Sequence, residues 1–224
     1  MNQHREHRDT VKDRLGRAYV EAILSGDEVA AEITIREAME ASLTSAEIDD
    51  EIIAPALWFV GELWERGEIT IADEHLATEI SMRVLALQRE AMRLDLTRPG
   101  YRVMLAAPAG ERHVVALGMI GNLLRDAGYS VVMLGGDVPD QALAASARRH
   151  RPAVICLSTT MPGGGDKLLV GMYEAQRAWP DVRFVVGGRG LTSRLRGRPG
   201  VEICRRVPEA VEAVDALVKR ADQN

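Results

Sequence analysis

Four clusters of chemistry-bearing residues stand out along this 224-residue chain. The first is Glu111-Arg112-His113. A carboxylate two residues before a histidine can accept a hydrogen bond from one ring nitrogen and turn the other towards a ligand or metal ion. The second is the hydroxyl run Ser158-Thr159-Thr160, which can serve turns and caps or face a polar ligand. The third is Gly187-Gly188-Arg189-Gly190, where missing Cβ atoms let a ligand approach the backbone. The fourth lies in the first half: Trp64, then nine residues, then Glu74-His75. An indole offers a broad, rigid apolar face, and the Glu-His pair offers a polar one. By contrast, Gly163-Gly164-Gly165-Asp166-Lys167 has neither the spacing nor the Lys-Ser/Thr ending of a triphosphate-binding loop. Two cysteines, Cys156 and Cys204, are too few for a disulfide framework or a Cys-rich zinc site. Both sit in apolar stretches and read as small buried hydrophobes.

The elements that must carry these residues divide at Thr97-Arg98-Pro99-Gly100, a helix-breaking joint. Before it, the pattern is helical throughout. Val11 to Leu24 is apolar at helical spacing and stops at Ser25-Gly26. Asp27 caps a second helix. Thr44-Ser45-Ala46-Glu47 is a capping signature for a third, which Pro55 is expected to kink and Arg66-Gly67 to end. A fourth helix starts near Ala72, with Leu76, Ile80, Val84 and Leu87 on one stripe. Residues 8–96 therefore predict a four-helix bundle with Trp58 in its core. After the joint, short apolar runs alternate with helical stretches. The strands fall at 102–107, 131–134, 153–157, 182–186 and 201–203. Residues 101–222 thus predict an α/β domain, a flavodoxin/Rossmann-like parallel five-stranded sheet covered on both faces. Ligands in such sheets sit at the carboxyl ends of the strands. The loops after strands one, three and four hold the first three clusters.

Composition excludes several classes. At 46% hydrophobic residues the chain can bury a core, so disorder is excluded. No apolar run is long enough to span a membrane, and the polar N-terminus has no signal-peptide character, so a cytoplasmic protein is expected. Residues 1–100 hold 11 Lys and Arg against 21 Asp and Glu, and the remainder 17 against 12. The late cluster Arg183, Arg189, Arg194, Arg196, Arg198, Arg205 and Arg206 has no interleaved aromatics and reads as a solvated face. A receiver domain is excluded: no acidic cluster lies beside strand one and no Asp follows strand three.

The three loops together resemble the cobalamin-binding Rossmann-like domain, whose pattern is Asp/Glu-x-His-x-x-Gly, Ser-x-Leu and Gly-Gly. The matches are Glu111-Arg112-His113, Ser158 and Gly187-Gly188, with Ala116 at the motif glycine and Thr160 at the motif leucine. The resemblance implies that His113 is the lower axial ligand to cobalt, held by Glu111. It places the nucleotide tail beside Ser158, Thr159, Thr160, Gly187 and Gly188, with Arg112 and Ala116 in the histidine segment. The string from Leu63 to Glu79 is similar to the helical cap of CarH-like light-sensing cobalamin regulators, and both domains follow that family's order over residues 10–220. By that resemblance Trp64 covers the upper corrin face, and Glu74 and His75 line the cavity of the upper ligand. The implied cofactor is cobalamin: adenosylcobalamin first, methylcobalamin or hydroxocobalamin otherwise. Where well-studied members place a histidine after the lid tryptophan, this chain has Glu65, so capture of cobalt by that residue is excluded.

The resemblance implies a light-responsive sensor rather than a catalyst. It would act as a homo-oligomer or through a separate transcription regulator, because the family's DNA-binding domain does not precede the first helix. The competing implication is a corrinoid carrier subunit of a methyltransferase system, which also has a helical cap but must open its upper face to partner enzymes.

Overall fold

A computed structural model describes the backbone of residues 2–91 and 101–221, and side chains from 10–91 and 101–220. The Thr97–Gly100 joint lies outside the described residues. The chain divides into two compact units, 1–92 and 93–224.

The first unit is helical: α1 (Asn2–Ser25), α2 (Glu28–Glu40), α3 (Ser45–Ile48), α4 (Ala54–Glu65) and α5 (Ile71–Ala91). The capping expectations hold. Asp27 accepts the Ala30 N–H, and Thr44 and Glu47 form a reciprocal capping box. Gly26 and Gly67 end their helices with positive φ. Leu15, Tyr19, Ala22 and Ile23 form the buried stripe of α1, and Ala77, Ile80, Ser81, Val84, Leu85 and Gln88 that of α5. Each large aliphatic buried this way contributes about 1.5–3 kcal/mol.

Two expectations for this unit need correction, at Trp58 and Leu76. Pro55 has no N–H to give the turn before it, and a π-helical turn over Asp49–Ile53 directly precedes α4. That wider turn takes one extra residue, so adjacent Ile52 and Ile53 are both buried. Trp58 is not core: it is 61% exposed, and Ala56, Val60 and Leu63 supply the inward face of α4. Leu76 is likewise exposed, and the stripe of α5 runs through its neighbour Ala77.

The second unit has a parallel sheet in the order β2-β1-β3-β4-β5. Its strands are β1 (Arg102–Pro108), β2 (Ser130–Val138), β3 (Val154–Ser158), β4 (Arg183–Gly187) and β5 (Val201–Cys204). Period-two alternation sorts the residues of β1 cleanly. Val103, Leu105 and Ala107 pack with α6 (Val115–Asp126) and α9 (Glu209–Ala221). Met104 and Ala106 pack with α7 (Asp140–His150) and α8 (Gly164–Ala178). Cys156 and Cys204 are buried, as their surroundings imply. The strand order reverses between β1 and β3, and the crevice at their carboxyl ends is where such folds bind ligands.

Candidate functional site

The segment after β1 is built around Glu111. Gly110, at φ +81, turns the chain, and the Glu111 N–H bonds back to Pro108 O at 2.9 Å. This brings the Glu111 carboxylate inward, 2% exposed, to the switch point of the sheet. One carboxylate oxygen accepts the His113 backbone N–H at 3.0 Å and His113 Nδ1–H at 2.5 Å. The other accepts Thr159 Oγ1–H at 3.2 Å, Thr160 N–H at 2.6 Å and Met161 N–H at 3.0 Å. Burial by itself raises the pKa of this group. The backbone N–H groups of Met161, His113 and Thr160, with the His113 ring, outweigh burial and hold it at about 2. Glu111 is therefore a fixed anion that ties the loop after β1 to the loop after β3.

The consequence falls on His113. Donation of Nδ1–H to the carboxylate turns Nε2 outward as the nitrogen that can ligate, and the side chain is 49% exposed. This is the geometry of an oriented ligand nitrogen. Among the described residues, no group of three or more His, Cys, Asp or Glu side chains could hold a metal ion. A single oriented nitrogen can ligate a metal ion that a bound cofactor carries. The residues fit such a group.

The structure draws Glu111, His113, Thr159 and Thr160 together, and register pairing sets Ser158 beside Gly187. Thr160 contributes its main-chain N–H to Glu111 rather than its hydroxyl. Arg112 is exposed, and Ala116 is half-buried in the first turn of α6. The glycines after β4 also let two loops pack together. A Cβ on Gly188 would stand 2.1 Å from the Thr159 carbonyl oxygen, and one on Gly190 2.3 Å from that of Met161. Their bareness lets the loop after β4 pack on the loop after β3, with Thr159 N–H bonded to Gly187 O and Gly190 N–H to Thr159 O. The sequence reading also missed the end of β2. The strand runs on to Val138, and the Asp137 N–H donates to Glu111 O at 2.8 Å. Its residues Gly135-Gly136-Asp137 look like a turn, which hid the extension.

The residues singled out in the helical unit lie on two helices. Trp64, 44% exposed, is near the end of α4 with Glu65 after it. Glu74 and His75 lie in the first turn of α5, whose start is fixed by reciprocal Thr70–Asp73 hydrogen bonds. His75 Nδ1 bonds Glu74 at 2.7 Å, and Thr78 Oγ1–H donates to the other Glu74 oxygen at 3.2 Å. The His75 side chain is 71% exposed.

A parallel sheet with an oriented imidazole at its switch point defines a class: a Rossmann-like domain that presents a ligand nitrogen at its binding crevice. The B12 binding domain family model matches residues 101–217, and a second model, also described as a B12 binding domain, matches residues 15–88. The chain belongs to the B12 binding domain family and binds a cobalamin-type corrinoid. The HTH-type transcriptional repressor CarH of Myxococcus xanthus is 31% identical over 155 residues, 68% of this chain and 50% of that protein. The chain thus spans half the length of that repressor. Trimethylamine corrinoid protein 2 of Methanosarcina acetivorans is 23% identical over 209 residues, covering 89% of this chain and 94% of that protein. The solved monomethylamine corrinoid protein of Methanosarcina barkeri shares the fold, with a TM-score of 0.73 at 19% identity over 92% of this chain and 99% of that one. Among the described residues no helix is long and apolar enough to cross a membrane.

Proposed function

We propose that this chain is a CarH-like cobalamin sensor, light-responsive and operating in the cytoplasm. Its output passes through self-association or a separate transcription regulator. The observation that carries this reading is the half-exposed Trp64 at nine-residue spacing from a pre-oriented Glu74–His75 pair. A large indole face left partly in water favours a flat apolar partner, and a corrin is one. Trp64 would pack over the cofactor's apolar face, Glu74 would bond ribose hydroxyls of an adenosyl group, and His75 would lie beside it. His113, held by Glu111, would supply the nitrogen that ligates cobalt. Ser158, Thr159, Thr160, Gly187 and Gly188 border the nucleotide tail, with Arg112 and Ala116 in the histidine segment. Bound adenosylcobalamin supplies a cobalt–carbon bond that light breaks. The likeness to a transcriptional repressor supports an output on transcription.

The test is reconstitution in the dark with adenosyl-, methyl- and hydroxocobalamin, followed by spectra and gel filtration before and after green light. The sensor reading expects preference for the adenosyl form and a change of size or of partner binding on illumination. Trp64→Ala should remove that preference while His113 ligation persists. Equal binding of the three forms with no response to light overturns it. That result favours a corrinoid carrier of a methyltransferase system, a reading supported by the near full-length match to a trimethylamine corrinoid protein.

A further inference from the structure

We propose that Asp137 is a positioning residue for the cobalt-binding histidine, gripping the His113 segment from β2. This rests on the reading of His113 as the lower ligand. Twice in its last turns of pairing, β2 gains a residue on β1: Leu105 pairs with Met133 but Ala106 with Gly135, and Pro108 with Val138. These bulges carry Gly136 and Asp137 up against residues 110–114.

Asp137 holds that segment at two points. Its Oδ1 accepts the Gly110 N–H at 2.7 Å, and its own N–H donates to Glu111 O at 2.8 Å. It does so at φ +54, in the left-handed region that most side chains avoid and that Asp and Asn tolerate best. Gly136 completes the fit: a Cβ there would stand 2.8 Å from both Glu111 O and Val114 Cγ1. Glu111 is therefore clamped from two strands, its main chain by β2 and its carboxylate by the loop after β3. Lys167 Nζ adds a bond to Ala109 O at 2.9 Å, but through a long, exposed side chain. Asp137 is the rigid grip. A looser segment spends less time with the imidazole in place, and ligation falls by that fraction.

The test uses the full chain loaded with cob(II)alamin, grown with isotopically labelled histidine. The splitting of the paramagnetic resonance signal then separates a histidine ligand from the cofactor's own base. The chain as it stands should give the histidine pattern. Asp137→Ala loses the acceptor and strains the backbone. Asp137→Gly relieves the strain and loses only the acceptor, so it serves if the alanine variant folds poorly. Both should lower the ratio of histidine-ligated to unligated cobalt by about three- to tenfold. Asp137→Asn, which keeps an oxygen acceptor and tolerates positive φ, should restore it. Unaltered ratios in the Ala and Gly variants, with ligation lost in His113→Ala, overturn the role of Asp137 alone. Ligation that survives His113→Ala overturns the ligand assignment, and the inference with it.

Discussion

Among the described residues two carboxyl groups are buried, one in each unit, and their fates are opposite. Glu111 accepts five hydrogen bonds from N–H and O–H donors and is held at about 2. Asp49, at the start of the π-helical turn, is fully buried, and neither of its oxygens has a hydrogen-bond partner. Burial pushes Asp49 up to about 7; the Gln88 amide pulls it down, and the charge on Asp50 pushes it further up. The Gln88 amide faces it off hydrogen-bonding geometry, itself buried and unbonded. Burial alone favours the neutral acid. A buried carboxylate stays ionised where donors converge on it. The fixed charge stands at the candidate site, and the carboxyl that gains and loses its proton near neutrality sits in a helical core.

The largest effect that would break this contrast is a pH dependence. The Asp49 pKa is raised on folding, from an ordinary 3.8 to about 7. Its stabilising protonation is fully present below about pH 4 and is lost as pH rises through 7. Across that window it withdraws roughly 4 kcal/mol. In urea unfolding between pH 4 and 8, Asp49→Asn should therefore gain on the parent chain by up to that amount. Equal pH slopes for the two proteins would remove the contrast. Next in size is Glu111→Gln. The neutral amide cannot accept from all five donors, and the imidazole loses its anchor. Cobalt ligation by His113 should weaken by about 10- to 100-fold, read from the spectrum of the loaded protein. The smallest is Glu74→Gln. That partly buried carboxylate binds an exposed His75 and Thr78 within neighbouring turns of α5. Its loss should change stability by less than about 0.5 kcal/mol in thermal melts. A larger loss would mean that the Glu74–His75 pair is structural.

Much of this was legible in the residues. Short apolar runs such as Val154–Leu157, alternating with helical stretches, read as strands buried on both faces, so the parallel sheet follows from the pattern, whereas its strand order does not. Glu111 and His113 could be paired from their spacing. Three of the donors that fix Glu111 are main-chain N–H groups, of His113, Thr160 and Met161, and side-chain types leave no trace of those. Asp137 was hidden because Gly-Gly-Asp reads as a turn whether it ends a strand or bulges one. Trp58 was misplaced because its apolar character suggests burial, while its helix turns it outward. No residue preference marks the extra residue of a π-helical turn.

That turn has an evolutionary consequence. It is a one-residue insertion stored within the continuous helical path from Ser45 to Glu65. A single-codon deletion in 49–53 would restore ordinary α-helical winding and leave the facing of everything downstream nearly unchanged, because the wider turn spends one more residue on about the same rotation. The outward face of α4, with Trp64 on it, is thus buffered against a change of length just upstream. Relatives that differ by one codon here would keep the same face of α4.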